Sequence, residues 1–272
     1  MPTLYVIVPV FNERGTLAEC LKRVVGAELP DGWRKSIIVV DDDSEPKCAA
    51  AAGKRVEALR AEGVDIMLLR HNVNQGKGAA VRTGFDHAIQ SAASDSDLVI
   101  IQDADLEYNP NDYASLMAPL LDGSADAVIG TRWGNHREVK GLKRTIHAMG
   151  NKILTVLSNA MTGYRLRDME CCYKIFSIAL LRTLRPMLTE SRFGVEPQIV
   201  ACLAKLGARV TEVAVWYDPR GVSEGKKIGW RDGVRALYVI MRERFRSINA
   251  PENAPGDGHA PRTAVSDSSG RG

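Results

Sequence analysis

Five short runs of β-branched and other apolar residues punctuate the first half of the chain: Leu4–Val8, Ser36–Val40, Ile66–Leu69, Leu98–Ile101 and Ala127–Ile129. Their apolar character is nearly continuous instead of alternating, the pattern of strands covered on both faces. Between them, Thr16–Val25, Cys48–Glu62, Gly78–Ala92 and Asn111–Leu121 repeat apolar residues at helical spacing. Strand and helix in alternation predict an α/β fold, a mostly parallel twisted sheet with helices on both faces. A chain of 272 residues is long enough to bury such a core. The expected domain is 1–245. Beyond Phe245 the composition turns to Pro, Gly, Ser, Asn and Asp, so 246–272 is expected to be a disordered tail.

Ligands of such sheets bind beyond the carboxyl ends of the strands. The polar clusters of this chain fall at those positions: Asn12-Glu13 after the first run, Asp41-Asp42-Asp43-Ser44 after the second, Asn72–Lys77 after the third and Asp103-Ala104-Asp105 after the fourth. Four strand ends are therefore expected to feed one cleft.

Asp103 and Asp105 carry the strongest local signal. If strand geometry persists to Asp105, both carboxylates point the same way, and the small Ala104 between them leaves room for a metal or phosphate to approach. Hard cations such as Mg²⁺ or Mn²⁺ take few protein carboxylates and complete their shell with phosphate oxygens and water. The pair suits a metal diphosphate; its plain alternative is a solvated acidic loop. A carboxylate among Asp41–Asp43 can accept from a ribose hydroxyl or a base N–H, or Asp43 or Ser44 can cap the following helix. In Asn74-Gln75-Gly76-Lys77-Gly78 neither a P-loop nor a dinucleotide fingerprint is complete, which leaves a helix-opening turn near the cleft.

The second half supplies cations: Arg132, Arg144, Arg220, Lys226 and Lys227. A diphosphate leaving group gains negative charge in the transition state, which Arg220 and Lys226 on a mobile loop would stabilise. Gly141–Gly163 is expected to be helical, and its sparsely charged stretch Asn151–Ala160 suits either a core helix or an interfacial one. A net charge of +3 does not mark a nucleic-acid binder. The five cysteines lack disulfide or zinc spacing, which fits a reduced cytoplasm. Met1–Val10 lacks the layout of a signal peptide, and no run approaches the roughly 20 apolar residues that span a bilayer.

The spacing as a whole resembles family 2 glycosyltransferases, and within them the dolichyl-phosphate mannose or glucose synthases. The resemblance covers roughly residues 4 to 235. It rests on Val8-Pro9-Val10-Phe11-Asn12-Glu13, Val39-Val40-Asp41-Asp42, Asn74–Gly78, Asp103-Ala104-Asp105-Leu106-Glu107 and Ile129-Gly130-Thr131-Arg132. Later blocks are Arg167–Lys174, Phe193–Pro197, Glu212-Val213 and Arg220–Gly233. The resemblance implies the GT-A fold and inversion at the anomeric carbon. It implies that Pro9, Phe11, Glu13, Val40 and Asp42 surround the nucleoside, that Asp103, Asp105 and Glu107 hold the metal, and that Arg132 and Arg144 meet phosphates. Arg220 and Lys226 would then close over the donor diphosphate. Two departures stand out: Asp43 occupies a place usually held by glycine, and Glu45-Pro46-Lys47 replaces a small polar turn.

What the resemblance implies for function is a nucleotide-sugar donor of the GDP-mannose or UDP-glucose type and a polyprenyl-phosphate acceptor. The enzyme would sit peripherally at the inner face of the membrane. A phosphate monoester, with a second pKa near about 6, is already largely ionised at neutral pH and needs docking cations more than a base. Asp168 and Glu196 would then orient other groups; with a sugar hydroxyl as acceptor, one of them would become the base. A sugar-phosphate nucleotidyltransferase would carry a glycine-rich loop where this chain has Asn12-Glu13-Arg14-Gly15. A non-catalytic nucleotide-sugar-binding module would have little use for both aspartates and the basic loop.

Overall fold

The computed structural model describes residues 1–133, 142–219 and 230–246, without the side chains of 142–148, 230 and 231. The strands are β1 (Thr3–Val10), β2 (Arg34–Asp41), β3 (Ile66–Arg70), β4 (Leu98–Ile101), β5 (Ala127–Thr131), β6 (Lys174–Ser177) and β7 (Val210–Ala214). The helices are α1 (Leu17–Gly26), α2 (Pro46–Ala61), α3 (Lys77–Ser91), α4 (Tyr113–Leu121), α5 (Leu142–Thr162), α6 (Ile178–Leu184), α7 (Val195–Lys205) and α8 (Trp230–Phe245). The strands form one sheet in the order β3-β2-β1-β4-β6-β5-β7.

All five predicted strands are present. β1 lies between β2 and β4, parallel to both, and β2 pairs in parallel with β3. Their interior residues, among them Val6, Ile7, Ile38, Val39, Val99 and Ile100, are buried, as two-sided helical cover requires. Two strands add to those expected. β6 runs antiparallel between β4 and β5, with Phe176 opposite Val99, and β7 pairs in parallel with β5 at the edge. The β6 sequence hides because a lysine and a serine close its short apolar centre. Lys174 is nevertheless fully buried, and its ammonium donates to the carbonyls of Met169 (3.1 Å) and Cys171, closing the turn that enters the strand.

Local chemistry sets several element ends. Pro46 opens α2, where a fixed φ is helical already and a missing N–H costs nothing. Ser177 caps α6 by accepting from the Leu180 N–H at 3.2 Å. α3 crosses β1 closely because Gly84 has no side chain: a Cβ there would lie 2.3 Å from Cγ2 of Ile7.

Gly84→Ala should therefore cost about 1–3 kcal/mol through overpacking, measured by urea unfolding. The same change in an Ile7→Ala background should cost clearly less. Equal costs in the two backgrounds would show that the contact with Ile7 is not what requires glycine.

Candidate active site

At the carboxyl edge of the sheet, three non-glycine residues adopt the left-handed conformation: Asn12 (φ 55°) after β1, Asp43 (φ 61°) after β2 and Leu106 (φ 67°) after β4. Such backbone is uncommon outside glycine and clusters at functional sites. It accounts for the glycine usual at position 43, since Asp and Asn tolerate this region better than most residues. The side chains then tie the loops together. The Asn12 N–H donates to Ser44 Oγ (2.9 Å), and Asn12 Oδ1 accepts from the Glu45 N–H (2.8 Å).

Asp42 organises the next loop. Its carboxylate accepts from the backbone N–H groups of Gln75 (2.9 Å) and Gly76 (2.7 Å) and from Asn74 Nδ2 (3.0 Å), and lies 2.6 Å from His71 Nδ1. The other ring nitrogen of His71 is 2.9 Å from Thr83 Oγ1. Asp42 thus joins the end of β2 to the start of α3. The glycines of the Asn74–Gly78 segment admit protein backbone: a Cβ on Gly76 or Gly78 would come within 2.5 Å of the Ser191 or Glu190 carbonyl oxygen, respectively. The Ala79 N–H donates to that Ser191 oxygen at 3.0 Å.

Lys77 follows directly. Its ammonium is 2.9 Å from Asp103 Oδ2 and 2.7 Å from Glu196 Oε1, bridging the end of β4 to the first turn of α7. Burial opposes the lysine charge, but Asp103 and Glu196 outweigh it and hold the pKa well above the ordinary lysine value. The backbone before Asp103 is equally fixed. Gln102 is fully buried, its Oε1 accepts from the hydroxyls of Tyr113 (2.7 Å) and Tyr173 (2.8 Å), and its Nε2 donates to the Asp103 carbonyl (2.9 Å).

The strand does not persist to Asp105. β4 ends at Ile101, and Asp105 lies in a turn where its Oδ1 accepts from the Glu107 N–H at 3.1 Å. The Glu107 carboxylate accepts from the Tyr217 hydroxyl at 2.9 Å. Among the described residues no three His, Cys, Asp or Glu side chains form a ready metal cage. Asp103 and Asp105 still fit Mg²⁺ or Mn²⁺, which rely on diphosphate oxygens and water for most of their shell.

Arg132, at the end of β5, forms a two-pronged pair with fully buried Asp168, Nε to Oδ2 at 2.7 Å and Nη2 to Oδ1 at 2.6 Å. Its guanidinium also lies over the Tyr217 ring, 5.2 Å from the centroid. Burial works against the Arg132 charge and the neighbouring Asp168 restores it, leaving the pKa well above normal. Pro9 and Phe11 are partly buried at the rim, and Glu13 accepts from the Thr16 hydroxyl at 2.6 Å. Val40 and Ala104 belong to the core, so their side chains shape the site from beneath. Arg144 falls in α5 where side chains are not described, and Arg220, Lys226 and the 247–272 tail lie outside the described residues.

Sequence reasoning did not single out Glu170 or Tyr217, and gave Glu212 no role. Glu212 accepts from the N–H groups of Arg167 (2.7 Å) and Asp168 (2.8 Å), which holds the Asp168 segment in place. The only local signal for it was a lone carboxylate inside a strand. Glu170 Oε1 and Glu196 Oε2 are buried with no hydrogen-bond partner.

Residues 5–185 match the family model described as Glycosyl transferase family 2. The chain belongs to this family. Among relatives of this family 2 glycosyltransferase is the UDP-N-acetylglucosamine–dolichyl-phosphate N-acetylglucosaminyltransferase of Methanococcus voltae, 26% identical and covering 88% of this chain and 96% of that protein. An undecaprenyl-phosphate 4-deoxy-4-formamido-L-arabinose transferase of Salmonella paratyphi A is 27% identical over 81% of this chain and 61% of its own length. The crystal structure of glucosyl-3-phosphoglycerate synthase from Mycobacterium tuberculosis, in complex with Mn²⁺, uridine diphosphate and phosphoglyceric acid, superposes with a TM-score of 0.63. It is 17% identical and covers 91% of this chain and 80% of that one. The fold of the family 2 enzyme is accordingly GT-A, and its reaction class is transfer of a sugar from a nucleotide sugar.

Burial, followed by the negative charge of Glu196, raises Glu170 to about 7. Burial also raises Glu212 to about 7, against the two N–H groups that lower it. A carboxyl whose folded pKa lies above its unfolded value favours the folded state while protonated, so this contribution is lost as pH rises from about 4.5 to about 7. Replacing Glu170 by Gln removes that titration. The stability of Glu170→Gln relative to the native chain should improve between about pH 5 and pH 8 by urea unfolding; a pH-independent difference would contradict the buried, protonated state.

Proposed function

We propose that this family 2 enzyme is an inverting, Mg²⁺- or Mn²⁺-dependent hexosyltransferase. It moves a sugar from a GDP-mannose- or UDP-glucose-type donor to a polyprenyl phosphate, and works peripherally at the cytoplasmic face of a membrane. The observation that carries the proposal is the largely buried Asp103–Lys77–Glu196 bridge, because it fixes one carboxylate of the acidic pair at a strand end. The lipid-phosphate substrates named for the Methanococcus and Salmonella relatives support the acceptor. All five cysteines are free, which suits a reducing compartment.

Asp103 and Asp105 would hold the metal, with Glu107 beside them, and the metal would neutralise charge on the donor diphosphate. Pro9, Phe11, Glu13 and the backbone at Val40 and Asp42 would line the nucleoside, on loops locked by the Asp42 and Ser44 hydrogen bonds. Arg132, oriented by Asp168, and Arg144 would dock the acceptor phosphate against repulsion from the donor. Arg220 and Lys226 would stabilise the departing diphosphate. An acceptor that is already anionic needs no strong base.

A hydroxyl acceptor is the second reading, and Glu170 is the observation favouring it. A buried carboxyl raised to about 7 is matched to proton transfer near neutral pH. In that case Glu170→Gln abolishes turnover, whereas a lipid-phosphate acceptor tolerates it.

The deciding assay supplies purified protein with Mn²⁺ or Mg²⁺, a panel of UDP- and GDP-sugars and a short-chain polyprenyl phosphate. Lipid-linked sugar is expected, lost on chelation and reduced at least roughly 100-fold by Asp105→Ala. Donor hydrolysis without lipid product would replace the lipid phosphate by a hydroxyl acceptor. Donor binding without turnover on either would reduce the chain to a binding module.

A further inference from the structure

The orphaned oxygens Glu170 Oε1 and Glu196 Oε2 belong to acids that feel one another. A buried oxygen without a donor has lost its water and gained nothing in exchange, and folded proteins leave few in that state. Glu243 Oε2 is a third such oxygen, but the Lys205 ammonium lies 3.6 Å away. Two orphans on interacting acids call for a common cause.

Placement narrows what that cause is. Glu170 sits on the turn that Lys174 closes from within by donating to the Met169 and Cys171 carbonyls. Two residues earlier on this turn, Asp168 faces Arg132. Of the charges acting on Glu170, that of Glu196 acts most strongly, ahead of Lys174, Arg132 and Asp168. The Glu170 carboxyl therefore stands between the Arg132–Asp168 pair and the Lys77–Glu196 bridge. Glu196 is 4% exposed, whereas Glu170 keeps part of its surface open to solvent and turns its carboxyl on a soft torsion. A ligand reaches the two acids from the Glu170 side.

The chemistry of the two acids selects the ligand. A phosphate would be repelled by two carboxyls, and a metal ion would be repelled by Lys77, Lys174 and Arg132 around them. A neutral group with hydrogen-bond donors meets neither objection. Burial and the charge of Glu196 raise Glu170 to about 7, so near neutral pH its carboxyl both donates and accepts. A sugar hydroxyl uses both capacities.

We propose that Glu170, with Glu196 behind it, determines donor specificity by hydrogen-bonding hydroxyl groups of the sugar carried by the nucleotide. The inference rests on the metal and donor diphosphate proposed at Asp103. Lys77 alone separates that carboxylate from Glu196, at 2.9 Å and 2.7 Å respectively, so a sugar attached to the diphosphate falls within reach of both acids. This gives Glu170 a role on the donor, distinct from the proton transfer assigned to it with a hydroxyl acceptor. A donor lacking the recognised hydroxyl leaves buried oxygens unpaired, the condition under which a polar site discriminates most strongly.

Isothermal titration calorimetry in Mn²⁺ tests the assignment with UDP, UDP-glucose, UDP-N-acetylglucosamine, GDP and GDP-mannose on the native full chain, Glu170→Ala and Glu170→Gln. For at least one nucleotide sugar, Glu170→Ala should weaken binding roughly ten-fold and leave the parent nucleotide diphosphate unchanged. Glu170→Gln, whose amide still donates and accepts, should recover most of the loss. Among monodeoxy analogues of that sugar, the native chain should reject one that Glu170→Ala accepts as well as the parent. Circular dichroism checks folding, and unchanged UDP or GDP affinity shows an intact nucleotide site. Equal losses for nucleotide and nucleotide sugar, no loss for either, no binding of any nucleotide sugar, or the same rejection of deoxy analogues by both proteins would each overturn the proposal. Turnover lost in Glu170→Ala with donor binding intact would also overturn it and return Glu170 to proton transfer. A sugar-specific loss of binding without any lipid-linked product in the transfer assay would count against the polyprenyl-phosphate acceptor alone.

Discussion

The ammonium of Lys77 is the joint on which the catalytic edge depends. It is the first residue of α3, placed by the Asp42-bound loop, and it contacts Asp103 at the end of β4 and Glu196 in α7 at once. One lysine so buried between two carboxylates is favourable only if all three are held in place, because an unpaired charge in that position carries a penalty of several kcal/mol. The surrounding structure supplies this restraint. Asp42 fixes the loop before Lys77, Gln102 fixes the backbone of Asp103, and the Glu190–Arg192 segment lies against Gly76 and Gly78. The part of the sheet that follows a nucleotide-binding plan is thereby coupled to the helical layer built from the second half of the chain.

The same logic recurs at Arg132 and Asp168, with a different result. There the pair is held by Glu212, whose carboxylate collects the N–H groups of Arg167 and Asp168. A guanidinium oriented on one side by a buried carboxylate and on its face by Tyr217 presents charge in a fixed direction, which is the preorganisation that electrostatic catalysis needs. Left-handed backbone at Asn12, Asp43 and Leu106 belongs to this economy too: among the described residues, non-glycine strain of this kind sits where strand ends turn sharply to offer side chains.

Much of this architecture is legible in the sequence because it rests on local, periodic signals. Continuous apolar runs mark β1 to β5, and polar residues immediately after them mark the loops of the cleft. β6 and β7 are invisible to that test. One has its apolar centre closed by a buried lysine whose charge is satisfied by carbonyls of the preceding turn, and the other is an edge strand carrying Glu212. The long-range pairs are invisible for a related reason. No spacing rule connects Lys77 with Glu196, or Arg132 with Asp168, since each pair is made by topology. Asp42 illustrates the middle case: its position at a strand end was plain, yet its ties to His71, Asn74, Gln75 and Gly76 could be seen only once β2 and β3 lay side by side.

Helix α5 shows why a stretch with few charges could be assigned two ways. Thr155, though polar, is buried with a partner there: its hydroxyl accepts from the Met169 N–H at 3.2 Å. Burial of this group costs little once it is bonded, so hydrophobicity alone no longer decides which face turns inward. The same holds in α8, where Glu243 is buried against Arg242 and Gln198. The inner face of α8 is mixed, with Ala236, Val239 and Ile240 buried beside Glu243, and that of α5 likewise sets Leu154 and Leu157 against the core beside Thr155, so a count of apolar residues along either helix does not tell which side is covered.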